Sequence, residues 1–215
     1  MDRRKALKNM GLAMGYTVAT PTLIGIMQSC KGEPVMEWTP DFFSKEQGAV
    51  LTKLVDIILP KTDTPSASEV QVNLFIDRFI NEVADKEQQD FTKMSMGRFL
   101  EKALKAAGKE KASDLSAEEL EKTLAATLKI TKEDEVKNIE AITAYNEAMA
   151  KGQEALLDEG VASHAFANNL RGMTIMGYKT SEFVGEEVLA YLPVPGEYIG
   201  CGDLQELTGG KAWSL

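Results

Sequence analysis

Nowhere in this 215-residue chain do apolar and polar residues alternate with period two over a sustained run, the pattern a half-buried strand requires. The apolar positions recur instead three and four residues apart, directly after residues able to start a helix. Ser44-Lys45-Glu46-Gln47 has the form of a capping box, in which a hydroxyl accepts from an orphan N–H and the Gln side chain reaches back. Val50, Leu51, Leu54, Val55 and Ile58 follow at helical spacing, and Pro60 is expected to stop that helix near Leu59. After the polar segment 61–69, Val72, Phe75, Ile76, Phe79, Ile80 and Val83 form a second stripe. Asp85 can cap a third helix, carrying Phe91, Met94 and Phe99 towards Gly108. Ser116-Ala117-Glu118-Glu119 is a second capping box, opening a helix to about Ile130. Thr131 can cap a fifth, running through Ile139, Ile142, Tyr145 and Met149 towards Leu157 with Gly160 as its stop. A sixth is expected from His164 to Met176, stopped by Gly177, and a last from Glu182 to Tyr191. The segment from Pro193 to Gly202 is too rich in Pro and Gly for a helix. The expected fold is all-α: a single bundle of six or seven helices over 41–215, with an irregular C-terminal arm.

The first thirty residues have a different organisation. Asp2-Arg3-Arg4-Lys5-Ala6-Leu7-Lys8 is a basic head, Gly11 to Met27 is mildly apolar, and Ser29 precedes Cys30. That is the layout of an export signal. The apolar stretch is interrupted by Gly15, Pro21 and Gly25 and falls short of the ~20 apolar residues of a spanning helix. The Arg3-Arg4 pair resembles a twin-arginine signal, although Asp2 stands where Ser or Thr is usual and Ala6 where Phe is usual. Met27-Gln28-Ser29-Cys30 resembles a loose lipobox, with Gln28 and Met27 atypical. Cys30 is therefore read as a lipidation site holding the protein to a membrane surface, with a chance cysteine behind an ordinary signal, or a bridge to Cys201, as the other readings. Residues 1–29 are assigned as signal and 30–40 as tether, with Trp38 an anchor onto the domain. The expected location is exported and periplasmic.

Charge and composition exclude more than they identify. The formal net charge is −9, and beyond residue 29 there are 20 basic residues against 32 acidic ones. A phosphate-binding face needs clustered Lys and Arg, so nucleic acid is not an expected partner. One histidine and two distant cysteines make neither a zinc site nor a disulfide framework. No Gly-x-Gly-x-x-Gly follows a strand, and no Cys-x-x-Cys-His is present for covalent haem. Ser163-His164 pairs a hydroxyl with an imidazole, but adjacent helical residues do not face each other. The carboxylate runs Glu118-Glu119, Glu133-Asp134-Glu135 and Glu186-Glu187 fit solvated helix faces and helix N-termini. Met173-Thr174-Ile175-Met176 is expected in the core. No catalytic, cofactor-binding or metal-binding residue is assigned to this chain.

Two segments remain unexplained by helix packing: the loop with Pro60, Thr62, Asp63 and Pro65, and the arm with Tyr191, Pro195, Gly196 and Tyr198. Structured loops carrying rigid prolines and aromatics suit contact surfaces, or they simply cover the ends of the bundle. Both segments carry a family resemblance. Ile57 to Ala67, followed by Val72 and Phe75-Ile76-Asp77, resembles a motif of the gluconate 2-dehydrogenase subunit 3 (gamma subunit) family, with Ser66 in place of the usual Gly. Gly177 to Glu182, Tyr191 and Pro195 to Cys201 are similar to that family's ending, and the likeness covers roughly residues 40–202.

The resemblance implies a non-catalytic small subunit of a membrane-associated, FAD-dependent dehydrogenase of sugars, sugar acids or glycosides. Its partner would be a glucose-methanol-choline-type flavoprotein carrying the FAD, with a cytochrome c holding haem c as a third component. The small subunit would support export and maturation of the large one. On that reading Pro60, Thr62, Asp63, Pro65, Tyr191, Pro195, Gly196 and Tyr198 are partner contacts. The alternative is a free-standing exported lipoprotein acting as a binding or scaffolding module.

Overall fold

The helix starts written in the sequence are made as hydrogen bonds. The computed structural model describes residues 38–194, 196, 197, 199 and 201–214. In it Ser44 Oγ accepts from the Gln47 N–H at 3.2 Å, and Gln47 Oε1 accepts from the Ser44 N–H at 3.0 Å, opening α1 (Lys45–Ile58). Asp85 and Gln88 form a full capping box before α3 (Lys86–Ala107), and Ser116 with Glu119 one before α4 (Ala117–Leu128). Thr131 caps α5 (Lys132–Ala150) and Asp158 caps α6 (Glu159–Lys179). The exception is α2 (Val72–Glu82), which starts from Gln71 in the left-handed region at φ 62° with no side-chain cap. A short α7 (Leu204–Thr208) lies in the tail. Between α3 and α4 there is a 3-10 turn, Ala112–Asp114, and after α6 a π-helical turn, Val184–Val188. Among the described residues one isolated bridge, between Ala190 and Trp213, is the only β pairing. The fold is all-α.

Helix α6 is the centre of the domain: α1, α2, α3, α4 and α5 all pack against it. One core joins five helices, with Leu51 and Leu54 from α1, Ile76 from α2, Phe99 from α3, Leu120 from α4 and Phe166 from α6. Burying a side chain of this size contributes about 1.5–3 kcal/mol relative to exposure. The rings of Phe99 and Phe166 meet at 5.3 Å between centroids, tying α3 to α6.

The incoming chain is fastened by a single carboxylate. Asp77, fully buried on α2, accepts the backbone N–H groups of Asp41, Phe42 and Phe43 at 2.7, 3.2 and 3.0 Å. Those three amides precede α1 and have no helical partner, so the carboxylate replaces the water they would otherwise bind. Phe43 is thereby seated in the core.

Four boundaries differ from expectation, each for an identifiable reason. The first is the start of α6, at Glu159 rather than His164, because the Asp158 side chain accepts from the Gly160 and Val161 N–H groups and caps the helix there. Helix α5 ends at Ala150 rather than near Leu157. Gly152, at φ 69°, takes the left-handed turn there, and its N–H closes onto the Met149 carbonyl at 2.9 Å. Gly160 therefore stops nothing: it lies in the first turn of α6, its N–H held by Asp158. Nor does Gly177 end α6, which continues to Lys179. A Cβ at Gly177 would sit 2.6 Å from Phe75 Cδ1, so the missing side chain permits the close crossing with α2. The expected last helix, Glu182 to Tyr191, is only the π-helical turn, because Leu189 turns to extended geometry and Ala190 pairs with the tail.

Candidate functional site

Between α1 and α2 the chain makes a turn longer than the geometry needs, and this turn is rigidly held. Ala67 donates its N–H to the Leu59 carbonyl and Thr62 donates its N–H to the Thr64 carbonyl, both at 3.0 Å. Asp56 of α1 accepts both the Ser68 N–H and the Ser68 hydroxyl, at 2.8 and 2.7 Å. Glu69 accepts from Lys61 at 2.5 Å and from the Ser66 N–H at 2.9 Å. Those two bonds, the lysine's first, hold its carboxyl below the usual carboxylate range.

A contact distant in sequence fixes the turn to the rest of the domain. The Tyr178 hydroxyl donates to the Pro65 carbonyl at 2.8 Å and pairs with the Thr64 hydroxyl at 3.0 Å. Tyr178 is in the last turn of α6, and the C-terminal arm departs two residues later. The turn is thus pinned to the base of the arm. Beside this junction an open groove of about 510 Å³ is bordered by Val70 ahead of α2, Phe75, Arg78 and Phe79 from α2, Val83 just past it, Gly177 from α6 and Ser181 just beyond its end.

The arm closes on itself. The Ala190 N–H donates to the Ala212 carbonyl and the Ser214 N–H to the Ala190 carbonyl, both at 2.9 Å. Val184 is buried at its start. Phe183, Tyr191, Leu192, Val194 and Ile199 are all exposed, Val194 to 79%. Single exposed apolar side chains are ordinary, and this segment carries five of them.

The residues singled out from the sequence distribute as follows. Pro60, Thr62 and Asp63 are exposed at the tip of the turn, while Pro65 is half-buried with its carbonyl occupied by Tyr178. Tyr191 and Gly196 are exposed on the arm. Arg3, Arg4, Cys30, Pro195 and Tyr198 lie outside the described residues. Tyr178, Thr64 and Asp77 had no role assigned from sequence. All three stood inside the family-like motifs, but nothing local to them signals a bond across 36 or 113 positions.

Elsewhere the chemistry is quiet. Ser163 donates its hydroxyl to the Glu159 carbonyl at 2.7 Å, so it does not address the neighbouring imidazole. His164 is buried at 9% exposure, and burial lowers its pKa from the usual histidine value. In the methionine stretch Thr174 is fully buried and Met173 packs on the core, whereas Ile175 and Met176 are exposed, since residues on opposite sides of one turn cannot all face inward. Among the described residues no three His, Cys, Asp or Glu side chains gather as metal ligands. No described helix is long and apolar enough to cross a membrane.

Comparison with known proteins gives one match. The family model described as gluconate 2-dehydrogenase subunit 3 matches residues 45–196. No curated protein and no solved structure matches the chain.

Proposed function

The chain belongs to the gluconate 2-dehydrogenase subunit 3 family, and from that premise we propose that it is the accessory subunit of an FAD-dependent dehydrogenase of sugars, sugar acids or glycosides. Its partner on this reading is a glucose-methanol-choline-type flavoprotein, which carries the FAD and the catalytic residues. A cytochrome c with haem c would accept the electrons. Arg3 and Arg4 would direct export of the folded pair to the periplasm, and a lipid on Cys30 would then hold it at the membrane surface.

The observation that supports this reading best is the junction at Tyr178. Residues 60–67 and the end of α6, both within the family-like motifs, share one hydrogen-bonded junction, and the groove beside it is bordered by Val70, just past the turn, and by Gly177 and Ser181. A stable protein interface needs about 800 Å² per partner. The turn, the outer face of α2 and the exposed apolar side chains of the arm are the candidate surfaces for that area.

The test is co-purification. The C-terminally tagged chain is expressed in its native host, extracted mildly and examined for visible absorbance and protein bands. A yellow complex with a second, flavoprotein-sized band is the expected result. A colourless, solitary chain would refute a stable subunit.

A further inference from the structure

A second groove adjoins the first at Phe79, and its chemistry is different. It has a volume of about 750 Å³ and runs between the end of α2, the start of α3, α5 and α6. Its apolar lining is aromatic and methionine-rich: Phe79, Phe91, Tyr145, Met149 and Met173. Its charged lining is acidic, from Asp85, Glu87 and Asp90, with no Lys or Arg among the lining residues. Asp85 is engaged as the α3 cap and Asp90 pairs with Lys86 at 2.6 Å. Among the described residues Glu87 has no ion-pair partner.

One wall of this groove is loosely attached. No residue of α5 is buried, and the helix rests mainly on α6. Its link to α3 is the ring pair Phe91–Tyr145, 5.9 Å between centroids. Gly152 breaks its C-terminal end. Methionine and aromatic side chains adapt to varied apolar surfaces, and a wall held this lightly can shift by the width of a side chain.

We propose that this groove receives a basic amphipathic helix of a partner chain. The apolar stripe of such a helix would lie on Phe79, Phe91 and Met149, and its Lys and Arg side chains would face Glu87. The acidic rim repels phosphate, which removes nucleic acid and anionic lipid as occupants. The groove shares Phe79 with the one beside Tyr178, but Glu87, Tyr145 and Met149 line this groove alone, so the peptide test does not depend on the flavoprotein reading.

The experiment uses the full chain and a fluorescein-labelled helix of two Leu-Lys-Lys-Leu-Leu-Lys-Leu heptads, with Glu replacing Lys in the control peptide. Anisotropy should show saturable binding of the basic peptide alone, weakening as salt is raised. Glu87→Lys and Met149→Ser, both at exposed positions, should each weaken binding by about fivefold or more. Glu121→Lys, on the exposed face of α4 away from the groove, should change it less than about twofold. Equal loss from Glu121→Lys, equal binding of the acidic peptide, or no saturable binding would overturn the proposal. So would a dimer in sedimentation that Met149→Ser dissociates, since a second copy would then occupy the groove.

Discussion

The Asp77 carboxylate offers the sharpest quantitative test of this fold, because its three acceptances separate cleanly by oxygen. Phe42 and Phe43 both donate to Oδ1, whereas Asp41 donates to Oδ2. In Asp77→Ala all three N–H groups lose their acceptor. The Phe43 amide is buried and bears the full cost of an unmade bond, about 2 kcal/mol; Phe42 is half-buried and costs about 1; Asp41 is exposed and recovers most of its loss from water. The expected destabilisation is about 3 kcal/mol, a large share of a typical domain's 5–15 kcal/mol. In Asp77→Asn the amide oxygen can keep Phe42 and Phe43 while its NH₂ faces the Asp41 N–H, so only the outer bond is lost, at about 1 kcal/mol. Urea unfolding followed by helical circular dichroism would measure both; a 3 kcal/mol loss lowers the midpoint by ~1–3 M. If Asp77→Ala costs under about 1 kcal/mol, the carboxylate is not what fastens the incoming chain. If Asn costs as much as Ala, the negative charge itself matters more than the acceptor geometry.

Three further outcomes are expected. Tyr178→Phe removes the bonds to Pro65 and Thr64 and should cost about 1–2 kcal/mol, with faster amide exchange confined to residues 61–67. Unchanged exchange there would show that the turn holds itself. Gly177→Ala should destabilise by about 1 kcal/mol in thermal melts despite alanine's better helix propensity, because its methyl meets the Phe75 ring; a gain in melting temperature would mean that the ring moves freely. His164, with its pKa lowered by burial, binds its proton more weakly in the folded state than in the unfolded one. Its contribution is complete above the ordinary value of 6.5 and is lost as pH falls below it. Urea midpoints at neutral and mildly acidic pH should therefore diverge less in His164→Gln than in the unaltered chain, and an equal slope in both would refute this assignment.

The local grammar of the chain was enough to place the starts of four of its helices. Ser44 with Gln47, Ser116 with Glu119, and the caps Asp85 and Thr131 act within four residues, and Pro60 blocks helix geometry through its own ring. Such effects are complete in a short window, so the all-α fold and most helix starts are legible without coordinates. Glycine was the ambiguous letter. The same residue ends α5 at Gly152, sits in the first turn of α6 at Gly160 and permits a helix crossing at Gly177. Only the tertiary neighbours distinguish these, since one needs a positive φ, one tolerates any cap and one needs empty space. Sequence also placed Ile139 and Met149 on an apolar stripe of α5, yet both remain exposed; periodicity states that a face is apolar but not that anything covers it.

The candidate interface divides in the same way. Pro60 to Pro65 and the arm stand out in the sequence by composition, and their local rigidity follows from proline. That Tyr178 joins them, and that Asp77 fastens the chain ahead of α1, could be settled only by the tertiary structure. A hydrogen bond between residues more than thirty positions apart has no local signature: its partners are chosen by how α2 and α6 pack, and that packing depends on the absence of one Cβ at Gly177.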